Sequence, residues 1–165
     1  MRLLMLKGAA GLLVLLGLLG YGSFALASHR VMKMSKHKYD ETVDRVKKAI
    51  EDQGMKVINV IDHQATLKEA GVTKWKWVVI EFISPKYAKE VLDVESSADV
   101  DIPLRISVMD GDPKDPHGAA PHASYYKPSV LFADYKKLSK VGKELDKILE
   151  KIVGSIAAPV AAKGH

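Results

Sequence analysis

Trp75-Lys76-Trp77-Val78-Val79-Ile80-Glu81-Phe82-Ile83 is the strongest strand signal in the chain, dense in aromatic and β-branched residues. Apart from Lys76 and Glu81 it is apolar on both faces, which places it centrally in a sheet. Toward the N-terminus, Lys56 to Ile61 reads as a second, shorter apolar strand, and Asp62 is placed to cap a brief helix that closes at Gly71. Before that, Val43, Val46 and Ile50 recur at helical spacing between a capping Asp40 and a terminating Gly54. Arg30 to Lys36 alternates, with Val31, Lys33 and Ser35 on one face and Met32 and Met34 on the other. Toward the C-terminus, Pro85 opens a helix in the favoured first-turn position, with Tyr87, Ala88, Val91 and Leu92 on its inner side. Ser96 to Asp101 is a turn. Pro103 enters a strand in which Leu104, Ile106 and Val108 face in while Arg105, Ser107 and Met109 face out. Asp110 to Pro121 is a Pro- and Gly-rich loop, Ala123 to Tyr126 a short returning strand, and Pro128 the start of a helical stretch. The last helix carries one apolar stripe, Leu138, Val141, Leu145, Ile148 and Ile152, and ends at Gly154. Short connections and one-sided helices predict a two-layer α+β sandwich: a mixed or mostly antiparallel sheet with helices packed on one face.

A different kind of segment precedes this body. Arg2 and Lys7 flank a short basic start, and Gly8 to Ala27 carries no charge. Ala25-Leu26-Ala27 supplies small residues at the −3 and −1 positions of a signal-peptidase site. The same run, as a hydrophobic helix, is long enough to span a hydrocarbon core of ~30 Å. Residues 1–27 are therefore expected to be a signal peptide or a signal anchor, with the body on the periplasmic or extracytoplasmic side, secreted or held to the cytoplasmic membrane. Residues 28–154 form the domain, and residues 155–165 are expected to be a disordered tail.

The 165-residue chain has a formal charge of +5, and without the leader 23 basic residues face 20 acidic ones, +3, with the signs interspersed. No basic stripe with stacking aromatics is visible, so nucleic acid is not an expected partner. The absence of cysteine excludes disulfides, thiolate metal sites, iron–sulfur clusters and a cysteine nucleophile.

Five stretches, taken in order, are familiar together. Asp40-Glu41-Thr42-Val43 leads to Gln53-Gly54. Val60-Ile61-Asp62-His63, Phe82-Ile83-Ser84-Pro85-Lys86, Asp101-Ile102-Pro103-Leu104-Arg105 and Tyr126-Lys127-Pro128-Ser129 follow. In order and spacing they resemble the domain of unknown function 302 family over roughly residues 30–153. The resemblance implies a small α+β fold and brings no established reaction, substrate or catalytic residues. Where the family commonly has Phe-Gly-Asn-Pro, this chain has Phe82-Ile83-Ser84-Pro85, and its loop from Asp112 to His122 is enlarged.

Candidate site residues fall in several places. The loop holds Asp110, Asp112, Asp115, His117 and His122, all ligand types for a divalent transition metal such as zinc, nickel or copper(II), although the spacing fits no zinc signature and no EF-hand. The competing reading is a solvated, Pro-rich loop. Met32 and Met34 with His29 and His37 have the composition of a copper(I) cluster, or the methionines simply pack into core. Asp62 and His63 at a strand end offer a ligand or a general base, or else only a helix cap. Trp75 and Trp77, two apart, share a sheet face and line a ligand or partner surface or pack beneath a helix. Glu81 is expected to be edge-exposed or paired with Lys76 or Arg105. No nucleotide-binding glycine loop or serine nucleophile motif is present. Three functional readings follow: an exported binding or accessory module docked to a membrane-associated complex, a transition-metal binder using the Asp110–His122 loop, and an enzyme with a site near His63.

Overall fold

The structure, a computed structural model, describes residues 29–112, 114 and 119–157. The N-terminal hydrophobic segment lies outside the described residues, as do Asp115 and His117. Among the described residues, no helix is long and apolar enough to cross a membrane.

Ten elements follow in chain order. They are β1 (Arg30–Met34), α1 (Tyr39–Asp52), β2 (Lys56–Asp62), α2 (His63–Glu69), β3 (Trp77–Ile83), α3 (Pro85–Val94), β4 (Leu104–Met109), β5 (His122–Tyr126), α4 (Pro128–Leu131) and α5 (Ser139–Gly154). The sheet order is β1-β5-β4-β3-β2, antiparallel at every pairing. The chain is thus an α+β sandwich. β3 is an interior strand, as its double-sided apolar character required, while β4 holds the central place. Between β1 at one edge and β2 at the other, α1 carries the chain across.

The alternation of β3 decides which side is core. Val78, Ile80 and Phe82 are buried against Val46 and Ile50 of α1, Val91 of α3, and Leu145, Leu149 and Ile152 of α5. Ile106 and Val108 of β4 complete that layer. Trp77, Val79, Glu81 and Ile83 stand on the opposite face, half-buried.

Local rules explain most boundaries. Asp62 caps α2, its Oδ1 accepting from the Gln64 amide at 2.8 Å. Ser84 precedes Pro85 at the start of α3 and accepts from the Tyr87 amide. Gly54 (φ 71°) and Gly71 (φ 79°) take the left-handed conformation that ends a helix at low cost.

Some expectations change. Asp40 is not the cap of α1; the helix begins one residue earlier, at Tyr39, with Lys38 before it and no side-chain cap. Instead the Thr42 hydroxyl bonds the Lys38 carbonyl at 2.9 Å and pairs with Ser35 Oγ at 2.7 Å. Leu92 is largely exposed, and Leu149 rather than Ile148 fills the core stripe of α5. Ile156 is fully buried, and Ser35 bridges to Ala157, so residues 155–157 pack as part of the domain.

Candidate functional site

The strand registers bring the sequence candidates to one end of the sheet. Asp62 closes β2 opposite Val78, and Trp77 opens β3 opposite Met109, the last residue of β4. His122 opens β5 and pairs with Met109 on one side and Met34, the last residue of β1, on the other. Asp110 continues the ladder, its amide donating to the Lys76 carbonyl at 2.9 Å. Residues read from sequence as separate loops and strand ends are therefore neighbours.

On the face opposite the core, this end carries one cross-strand row: Met34, His122, Met109 and Trp77. His63 extends it, its ring stacked on Trp77 with centroids 4.0 Å apart and planes 21° apart. The Trp77 indole donates to Ser107 Oγ at 2.8 Å, which fixes the ring against β4. Trp75 precedes β3 rather than lying in it, so the two tryptophans do not share a strand face; the ammonium of Lys74 sits 4.2 Å above the Trp75 ring.

On the core side of the same end are two adjoining clefts, of about 550 and 290 Å³, both lined by Tyr39, Asp40 and Lys76. His37 and Asp110 belong to the larger, Asp62 and Val78 to the smaller. Burial, then the charges of Asp62, Asp40 and Asp110, push the Tyr39 phenol up to about 12, so it stays a protonated donor at neutral pH. His37 Nδ1 pairs with Glu41 at 2.9 Å.

The carboxylates differ in what they are free to do. Asp62 is committed to its helix cap. Asp112 is buried, forms an ion pair with Lys74 and accepts from the Lys114 amide at 2.8 Å. The bond from Lys74 and then that from Lys114 hold its carboxyl below the usual carboxylate range. Asp110 accepts from the Gly111 amide at 2.9 Å. His122 belongs to β5 and is 7% exposed, whereas sequence reading had set it at the end of the loop. Asp115 and His117 are outside the described residues. Among the described residues, no three His, Asp or Glu side chains converge as a metal-ligand group.

The methionine pairing also has a different form from the one composition suggested. Met32 and Met34 lie on the face opposite the core, and the histidine beside Met34 is His122, across the strand pair, not His29 or His37. The usable signal was the outward alternation of Arg105, Ser107 and Met109 together with a histidine opening the next strand. Glu81 pairs with Arg105, its Oε1 2.9 Å from the guanidinium Nε, as one of its two expected partnerships.

The family model described as "Domain of unknown function DUF302" matches residues 31–156. The fold is similar to that of a solved structure described as an uncharacterized conserved protein DUF302 from Bacillus stearothermophilus. The TM-score is 0.71 at 17% identity, over 79% of this chain and 99% of that one, so the likeness is one of fold. No curated protein matches the chain.

Proposed function

The chain belongs to the DUF302 family, and on that footing we propose that it is an exported binding module rather than an enzyme, with the His122–Trp77 end of the sheet as its working surface. The observation that carries this reading is the convergence at that end: His122, Met109, Trp77 and His63 come from separate elements and meet on one face. Two of the nearby carboxylates, Asp62 and Asp112, are held by structural partners. The row itself presents imidazole, indole and thioether, which suit recognition better than proton transfer between matched acid and base. Export rests on the basic start and uncharged run of residues 1–27.

Native mass spectrometry of the tag-free chain, isolated gently from its own host, tests the reading. A bound ligand should appear as an added mass that Trp77→Ala removes while the domain stays folded. A bare chain mass in every preparation would overturn it. Protease added to spheroplasts, but not to intact cells, should cleave the domain, and resistance in both would overturn export.

A further inference from the structure

We propose that Met34, His122 and Met109 form a binding site for a soft monovalent cation, copper(I); this rests on the reading that the same end of the sheet is the working surface. The geometry comes from strand register. His122 is the direct partner of Met34 on β1 and of Met109 on β4, so one imidazole lies between two thioethers on three consecutive strands. Neighbouring strands run ~4.8 Å apart, which sets the two methionines roughly 10 Å apart with the histidine midway. Side chains directly opposite each other on one sheet face are within reach of contact. Methionine has three rotatable bonds, so each sulfur can swing inward toward the ring.

The burial pattern agrees with a ligand role. Of the four methionines among the described residues, Met55 alone is in the buried core. Met32, Met34 and Met109 are instead half-buried on the face opposite the core. His122 beside them is buried, so its ring is held in place. Met32 is one pleat along β1 on the same face, opposite Ser124, and supplies a third thioether nearby. Trp77 ends the row beside Met109 and is itself fixed by His63 and Ser107.

The ligand chemistry selects the ion. Thioethers are soft donors that favour copper(I), and imidazole serves copper as well. The set carries no formal charge, because the row contains no carboxylate or thiolate. A divalent ion such as zinc is ordinarily held by thiolates, imidazoles and carboxylates. A cysteine-free chain that works outside the cytoplasm is left with methionine as its soft ligand, and methionine cannot be lost to disulfide formation.

The test is an anaerobic titration of the full chain, purified without a tag, with copper(I) in competition with a chromophoric copper(I) chelator. One equivalent should be withdrawn from the chelator, and zinc(II) should show no comparable uptake. Met34→Leu and Met109→Leu conserve volume and apolarity, so the metal-free melt should hold while copper(I) affinity falls at least about tenfold for each. Copper X-ray absorption should show sulfur and nitrogen scatterers together. No withdrawal from the chelator, unchanged affinity in both leucine variants, or a shell of nitrogen and oxygen alone would each overturn the site. If copper(I) fails but the native protein still carries a mass that Trp77→Ala removes, the copper assignment falls and the binding-module reading stands. If both fail, the working surface itself is wrong.

Discussion

Glu81 is the single charge in β3, and its carboxylate is bonded by Arg105 across to β4 and by Asn59 across to β2. The bond from Arg105 chiefly, helped by that from Asn59 and opposed by desolvation, holds its carboxyl below the usual range. A depressed folded-state pKa stabilises the fold above the unfolded value, ~4.3 for glutamate, and that contribution is lost as pH falls through the folded value. Glu81→Gln should therefore lower stability at pH 7 by less than about 1 kcal/mol, because Arg105 is well exposed to screening solvent. The difference from wild type should close in acid, once Glu81 is protonated in both folded and unfolded states, in parallel denaturant melts; a gap that persists there would mean the amide disturbs packing and not charge. This pair was legible in sequence, since Arg105 was the outward residue of the next predicted strand. His122 was not, because its partners Met34 and Met109 come from two other strands, and no local spacing links all three.

At the scale of elements, the contact between α4 and α5 has little tolerance. A Cβ built on Gly142 would lie 2.7 Å from the Ser129 Cα, so α5 reaches α4 backbone to backbone at that point. Asp146, one turn along α5, accepts from the Ser129 amide at 2.9 Å and from its hydroxyl at 2.5 Å, which satisfies an orphan donor of the short α4. Gly142→Ala gains ~1 kcal/mol of helix propensity, yet the overpacking should outweigh it, giving a net loss of about 1–2 kcal/mol. Gly154→Ala, whose Cβ would meet nothing within 4 Å, is the control and should be neutral or slightly stabilising. Equal effects at both positions in thermal melts would mean that α5 does not sit against α4 as described. Periodicity made α5 visible in the sequence, and it identified Val46 and Ile50 of α1 and Val91 of α3 as core. It could not show that Gly142 was a contact residue, since a missing side chain leaves no hydrophobic signature. Leu92 was misread for a related reason: the apolar stripe of α3 is broader than the part that the sheet covers.

Across the whole molecule, the α+β class and the one-sided helices could be read from alternation and caps, and the ordered motifs carried the family. Strand order could not, because β1 and β2 are consecutive in the chain yet occupy opposite edges, and register between distant strands depends on packing that no local pattern encodes. That order is what gathers Met34, His122, Met109 and Trp77 into one row, while the far end of the same face carries Arg105, Glu81 and Asn59 as a closed polar network. The two ends of one sheet face thus differ in chemistry, and the account assigns binding to the first alone. Carbene footprinting of the full chain, in spheroplasts and after purification to the ligand-free state, tests that assignment most directly. The account predicts that Met34, Trp77 and Met109 are labelled less in spheroplasts than in the purified protein, with labelling of Arg105, Tyr126 and the exposed Val100 unchanged. Equal labelling of Met34, Trp77 and Met109 in both states, or protection confined to the Arg105 end, would contradict it.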